Sequence, residues 1–314
     1  MTPEISVLIP SYNHAPFIER TLRSVFSQTL QPKKLLVIDD GSKDESVKII
    51  ERILKDCPFE NEFITRENRG LCATLNEGFA KTEGEFFAYI GSDDVWFPAF
   101  LEEQTSLLKK RPDAVLAFGH AFLMDEQDRI LDRTDNWTNF ADGDALPFLL
   151  RREIFSSPSV VYRRKFVEKY GWNEDAGLED YELYLKLSAE GEFVRNEKII
   201  CGWRQHGWNT SDNQLKMFDE QLAAQDRVLD KLNLSREELD KIQRELKFNA
   251  TADFVRQGYK RQAAVLFWNN LGGAKSLSHI GKMLVRLAIP QSIFQWNRRR
   301  KRRNAIENYG KLEI

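Results

Sequence analysis

Two apolar runs in the first hundred residues stop abruptly at paired carboxylates. Leu35-Leu36-Val37-Ile38 leads into Asp39-Asp40-Gly41-Ser42, and Phe86 to Ile90 leads through Gly91 and Ser92 into Asp93 and Asp94. Aspartate is strongly disfavoured inside a sheet, so strands that end this way deliver their acidic pairs to an edge. In open α/β sheets, ligands occupy the crevice outside the carboxyl ends of the strands. Two acidic strand ends in one half of a chain therefore predict one site, for a metal-bound, phosphate-bearing ligand.

The surrounding pattern fits such a sheet. Ile5 to Ile9 is continuously apolar, as a strand covered on both faces must be. Pro10-Ser11-Tyr12-Asn13 ends it, and Pro16 to Gln28 carries Phe17, Leu22, Val25 and Phe26 at helical spacing. Asp44 is placed to cap a helix whose stripe is Val47, Ile50, Ile53 and Leu54. Phe63-Ile64 reads as a short strand, Leu71 to Lys81 as a helix, Pro98 as the first residue of another, and Ala114 to Phe118 as a strand. Alternation of this kind predicts a doubly wound sheet. From Asp125 to Phe155 the pattern dissolves into Asp-rich loops, read as the irregular part covering the site. Leu178 to Ala189 returns to helix and Ile199 to Arg204 to strand, and beyond Gln214 the chain reads as helix. A boundary is expected near 211–215. It divides an α/β domain over 1–212, with halves meeting near residue 120, from a helical region over 213–314.

A net charge of -2 with 30% charged residues argues against bulk nucleic-acid binding. Cys57, Cys72 and Cys201 lack C-x-x-C spacing, so a disulfide framework and a structural zinc are not expected, and a reducing, cytoplasmic setting is. Met1-Thr2-Pro3-Glu4 runs straight into a strand without the pattern of a secretory leader. No run approaches the roughly 18 apolar residues of a membrane-spanning helix. Neither G-x-G-x-x-G nor a P-loop follows the first strand, so a nucleotide site here is built differently.

Five segments in order carry a family likeness: Ile5 to Asn13, Val37 to Ser42, Asn68-Arg69-Gly70 with Asn76, Ser92-Asp93-Asp94, and Glu179-Asp180. Together they resemble the ordered motifs of family 2 glycosyltransferases, over roughly residues 4–210. The resemblance implies a GT-A fold, in which a Rossmann-like nucleotide-binding half joins an acceptor-binding half in a mixed sheet flanked by helices, here with a helical C-terminal extension. It implies inverting transfer of a sugar from a nucleotide-sugar, UDP-linked, to a glycan or lipid-linked glycan in cell-surface polysaccharide synthesis.

The resemblance also implies roles. Charge developing on a leaving diphosphate calls for a divalent cation, Mn²⁺ or Mg²⁺. Asp93 and Asp94 fall on the family's D-x-D motif, where Gly91 replaces its usual first Asp and leaves Asp93 the main ligand. His206 lies where some relatives place a further metal or diphosphate contact, although a lone histidine also serves structurally. Asp39 and Asp40 bind the nucleoside, cap the next turn, or divide those jobs, with Asp40 nearer the base-contacting position. Pro10, Tyr12, Asn13 and Ser92 would line the same pocket; Asn68 and Arg66 would approach the nucleotide, or Arg66 would be a surface charge. The general base that an inverting transfer needs falls on Asp180, with Glu179 second, although helix capping is open to both. Trp137, Phe155 and Trp172 are candidates for stacking on sugar rings or for burial.

Two other readings stay open: a catalytically silent relative that binds sugar nucleotides or glycans, and a nucleotidyltransferase that makes nucleotide-sugars. The C-terminal run Lys282 to Pro290, then Ile293 to Trp296, then six consecutive basic residues from Arg298 to Arg303, suits an anionic membrane surface or a solvated, frayed end. The first option would hold the protein peripherally at the inner face of the cell membrane.

Overall fold

A computed structural model of the chain describes residues 4–137, 142–151, 155–207 and 213–313. The chain begins β1 (Ile5–Ser11), α1 (Ile18–Phe26), β2 (Lys34–Asp39), α2 (Ser46–Ile53), β3 (Asn61–Thr65), α3 (Leu71–Ala80) and β4 (Phe86–Tyr89). Next come β5 (Val95–Trp96), α4 (Phe100–Lys110), β6 (Ala114–Met124), β7 (Ile130–Arg133), α5 (Leu146–Leu149) and β8 (Val161–Arg163). Then follow α6 (Arg164–Val167), α7 (Glu179–Ser188) and β9 (Glu192–Arg204). Helices α8 (Gln214–Arg227), α9 (Arg236–Gln257), α10 (Lys260–Asn269), α11 (Leu277–Ala288) and α12 (Gln291–Tyr309) close the chain.

One sheet runs β3-β2-β1-β4-β8-β6-β9-β5, with β7 added beside β6. The first four strands are parallel, whereas β8 is antiparallel to both β4 and β6. β9 lies parallel to β6 and antiparallel to β5, so the sheet is mixed. β1 has β2 on one side and β4 on the other, so the strand order reverses at β1 and opens a crevice at the carboxyl ends.

The continuous apolar runs are explained by cover on both faces. Leu8, Leu36, Ile38, Phe87 and Tyr89 point into a layer shared with α3 and α7. Val7, Ile9, Leu35, Val37 and Ala88 alternate into the opposite layer against α1, α2 and α4. Ala224, Val228, Leu232 and Leu239 join the first layer, so the main core continues into the C-terminal helices.

Several sequence expectations shift. Asp44 does not cap α2: Glu45 holds that position, while Asp44 accepts from the Ser46 and Ala15 amides at 3.0 and 2.9 Å. Pro98 stands ahead of α4, whose N-cap is Ala99, and its carbonyl accepts from the Thr29 amide. The weak segment from Asp125 to Phe155 contains β7 and α5, whose few residues are too short to show a period. Residues 138–141, 152–154 and 211–212, which belong to that segment and to the expected boundary, lie outside the described residues.

The C-terminal end is not frayed. The Ile130 amide donates to the Gly310 carbonyl at 3.0 Å and the Leu312 amide to the Asp128 carbonyl at 2.9 Å. The Arg20 guanidinium donates to the Leu312 carbonyl at 2.5 Å, and Leu312 is buried among Val95, Met124 and Ile130. No helix among the described residues is long and apolar enough to cross a membrane.

One close approach holds α3 on the sheet. A Cβ added at Gly78 would come within 2.4 Å of the Leu8 side chain at the centre of β1. Alanine there gains about 1 kcal/mol of helix propensity but overpacks a fully formed core at about 1–3 kcal/mol. The second effect wins, so Gly78→Ala lowers the urea unfolding midpoint; an unchanged or raised midpoint would show that α3 is free to shift.

Candidate active site

The loops after β1 and β2 are stapled together before any ligand is considered. Asn13, at a φ of 53°, receives the Lys43 amide at 2.7 Å and gives its own amide to Ser42 Oγ at 2.8 Å. The His14 amide donates to Ser46 Oγ at 3.1 Å. Asp39 is consumed by this turn: its carboxylate accepts from the Ser42 amide at 2.8 Å, Ser42 Oγ at 2.6 Å and Ser11 Oγ at 3.2 Å. Asp40 faces the crevice but is tied back by the Arg69 and Gly70 amides, at 2.9 and 2.8 Å, and by an ion pair with Arg66. The two aspartates thus divide the work, with Asp39 making the turn and Asp40 standing at the wall.

A cleft of about 770 Å³ opens over these strand ends. Pro10, Tyr12, Asn13, Asp40, Asn68, Ser92, Asp93, Asp94, Glu179 and His206 all line it, so most of the sequence-predicted residues converge. Asp39, Arg66 and Asp180 are not on its wall. Arg66 is neither a surface charge nor free to reach outward, because Thr74 Oγ1 at 2.7 Å and Glu77 at 3.1 Å hold it beside Asp40. Phe155 and Trp172 are core residues, the first stacked among Phe118 and Phe148 and the second among Phe79, Phe87 and Tyr89. Trp137 is half exposed.

On the floor of the cleft, His14, Asp93 and His206 bring one ligating atom each to within 4.8 Å of one another. This group could hold a metal ion. Asp93 Oδ2 lies 2.9 Å from His206 Nε2, and Asp93 Oδ1 lies 3.8 Å from His14 Nδ1. Phe17 stacks on the His206 ring at 5.4 Å and fixes its plane. Burial, opposed by Asp93, holds His14 below its ordinary pKa. Burial alone would raise the Asp93 carboxyl, but the hydrogen bond from His206 and the nearby histidine charges bring it below the usual range.

Asp94 is not part of this group. Its Oδ1 accepts from the Arg204 amide at 2.8 Å, and burial followed by the charge of Asp93 pushes its carboxyl well up. Gly91 has a plain geometric consequence: a Cβ there would lie 2.8 Å from Asp93 Oδ1 and 3.3 Å from Asp94 Oδ2. The space that the family's first motif aspartate would need is filled by the two carboxylates. His14, one residue past the quoted strand-end motif, was missed from sequence; its only signal was its place at the same sheet edge.

The opposite wall begins at the first turn of α7. Asp180 accepts from the Tyr89 hydroxyl, which β4 delivers from below. Burial, then the charge of Glu179, pushes the Asp180 carboxyl well above its usual range, while hydrogen bonds from Tyr89 and Ser157 oppose the rise. Glu179 is raised by burial as well. Two carboxyls with elevated pKa beside a cleft have the character of proton-transfer groups.

The family described as Glycosyl transferase family 2 matches residues 6–171, more than half of the chain. The chain belongs to glycosyl transferase family 2. Curated relatives include the chondroitin synthase of Escherichia coli, 25% identical over 236 residues, which are 70% of this chain and 33% of that protein. An uncharacterized glycosyltransferase of Nostoc is 30% identical over 170 residues, 53% of this chain and 52% of its own. The chain thus spans a third to about half of those relatives. Among solved structures, the mannosyltransferase PcManGT of Pyrobaculum calidifontis, in complex with GDP-Man and Mn²⁺, aligns at a TM-score of 0.62 with 17% identity, covering 98% of this chain and 87% of that one. Residues 1–349 of S. aureus TarS in complex with UDP-GlcNAc align at 0.61 with 16% identity, covering 99% and 93%. The fold is that of the GT-A glycosyltransferases.

Because Tyr89 lowers the Asp180 pKa, removing its hydroxyl raises it further. Tyr89→Phe therefore moves the Asp180 titration to higher pH, and carbon-detected NMR of the carboxyl resonances reads the shift. An unmoved or lowered titration would mean that the hydroxyl does not hold the ionised form.

Proposed function

We propose that the chain is an inverting glycosyltransferase that moves a sugar from a nucleotide-sugar, UDP-linked, onto a glycan or lipid-linked glycan in polysaccharide synthesis. One observation carries this reading: the His14–Asp93–His206 group and Glu179 line one 770 Å³ cleft on the carboxyl edge of the sheet, and Asp180, its carboxyl raised, is the next residue behind Glu179. The catalytic unit in this reading is 1–212, with donor and acceptor halves meeting near residue 120, and 213–314 is its helical companion.

Tyr12, Pro10, Asn13, Asn68, Ser92 and Asp40 line the part of the cleft assigned to the nucleoside, with Tyr12 half exposed and free to lie against a base. Arg66 and Asp39 act there by holding Asp40 and the turn in place. His14, Asp93 and His206 would hold a divalent cation, and their mixed imidazole and carboxylate donors favour Mn²⁺ over Mg²⁺. When bound, that cation supplies positive charge where the diphosphate departs. Asp94, also on the cleft wall, fixes the loop by accepting from the Arg204 amide. Asp180, made a stronger base by burial and by Glu179, takes the proton of the acceptor hydroxyl as that oxygen attacks the anomeric carbon from the face opposite the leaving diphosphate. Glu179, on the cleft wall, orients the acceptor.

Two experiments test the reading. Calorimetry with UDP and Mn²⁺ should show metal-dependent binding to the wild type and none to Asp93→Ala; binding of no nucleotide at all would remove the donor site. Asp180→Asn should lose about two to four orders of magnitude in transfer rate while keeping nucleotide affinity. Near-normal turnover would hand the base role to Glu179, and wild-type binding with no turnover on any acceptor would favour a silent relative.

We also propose peripheral attachment to an anionic membrane through the outward face of α12, where Ile293 and Trp296 are more than half exposed and Arg300 lies over the Trp296 ring at 5.5 Å. The exposed Val285 and Leu277 of α11 extend the apolar surface. Sedimentation with phosphatidylglycerol vesicles should fall for Ile293→Ser/Trp296→Ser, and an unchanged bound fraction would exclude this face.

A further inference from the structure

The six-residue basic run does not act as one patch. At 3.6 residues per turn, Arg298, Lys301 and Arg302 share one face of α12 with Tyr309, and Trp296, Arg300 and Arg303 lie about half a turn away. Tyr309 turns that face toward the sheet, where its hydroxyl accepts from Arg133 at 3.3 Å and its ring meets Phe122 at 5.9 Å. Half of the basic run thereby lies on the sheet-facing side of α12, with its side chains still exposed.

These cations meet a second cleft, of about 590 Å³, between the sheet and the C-terminal helices. Trp137, Trp203, Gln205, Arg298, Lys301 and Arg302 line it. The two indoles stand edge to face at 6.4 Å, and Asp132, also on the wall, accepts from Trp137 Nε1 at 3.2 Å and sets that ring. Among the described residues, Arg303 is the member of the basic run that forms an ion pair, with Glu307. Burial, then the like charge of Arg298, pulls Arg302 below its ordinary pKa against the opposing charge of Asp125, which with Glu126 lines a smaller recess that Arg298 and Arg302 share. The cleft adjoins the donor site: Trp203 lines both, and Gln205 lies between Trp203 and His206 in the chain.

We infer that this second cleft is a binding subsite for an anionic stretch of the acceptor, a glycan whose sugars carry carboxylate or phosphate groups. The inference rests on the glycosyltransferase reading above. Aromatic faces take the apolar side of a sugar ring, Gln205 meets hydroxyls, and arginine pairs with carboxylate or phosphate oxygens two at a time. A flat lipid surface fits this concave place less well than it fits the outward face of the same helix. The subsite would hold the acceptor beside the transfer point, so that successive additions need not release the glycan fully.

The test uses the full chain and calorimetry with three probes: a hexuronic-acid-containing oligosaccharide, its carboxyl-reduced neutral counterpart, and a glycerol-phosphate oligomer. The wild type should bind one or both anionic probes and the neutral one at least about tenfold more weakly. Arg298→Gln/Arg302→Gln should lose about tenfold in that binding, with UDP affinity and urea midpoint unchanged, while Arg300→Gln/Arg303→Gln on the outer face should lose none. Which anionic probe binds distinguishes carboxylate from phosphate. Equal binding of neutral and anionic probes, or an unaffected Arg298/Arg302 variant, overturns the inference. So does a variant that loses only phosphatidylglycerol vesicle binding, which would reassign the face to membrane. Absence of oligosaccharide binding alongside intact UDP binding sinks this subsite alone; loss of UDP binding by the wild type sinks the glycosyltransferase reading beneath it.

Discussion

The site is framed by one buried cation. Arg204, at the end of β9 and 1% exposed, gives its amide to Asp94 and its Nε to the Asp93 carbonyl at 2.7 Å. Its Nη1 reaches the Asp125 carbonyl at 2.8 Å and Asp128 Oδ1 at 2.7 Å, and its guanidinium lies 4.8 Å above the Phe17 ring. A buried charge is tolerable only when paired and fully hydrogen-bonded, and losing a partner costs about 3–5 kcal/mol. The acidic loop, the turn before β7, the start of α1 and the end of β9 are therefore mutually required. Phe17, held by this cation, in turn stacks on His206.

The acidic pair lining the cleft shows how neighbouring carboxylates acquire different characters. Asp93 meets two imidazoles and is held ionised; burial and then the charge of Asp93 push Asp94 toward its neutral form, against the hydrogen bond from the Arg204 amide. Placing both carboxylates where a Gly91 side chain would lie makes the glycine part of the arrangement, not a gap in it. His14 from the first loop, and not Asp94, joins Asp93 and His206 in the group that could hold a metal ion.

The parallel half of the fold was legible because its strands are covered on both faces and read as unbroken apolar runs. The convergence of Asn13, Asp40, Asp93 and His206 was legible because each follows the carboxyl end of a strand. What could not be read was pairing at long range. Asp39 and Asp40 look alike in the chain, and only the approach of Ser11, Ser42 and Arg66 separates them. His14 carried no spacing rule, since its partners lie 79 and 192 positions away in sequence. The strands β7 and β8 are too short for a period of two to rise above their loops. The irregular stretch hid a hairpin whose partner is the distant segment 310–312.

That last contact bears on the order in which the protein is made. The Arg20 guanidinium and the Leu312 carbonyl are separated by 292 residues, yet both meet at Asp128, the residue that also receives Arg204. Chains emerge from the ribosome N-terminus first, and early domains ordinarily fold as they appear. Here the parallel strands can assemble early, but the hairpin that braces the acidic loop lacks its edge partner until residues 310–312 have left the exit tunnel. Until then the parallel strands can pair while the loop that carries the acidic pair stays unbraced, so that loop orders late relative to the sheet.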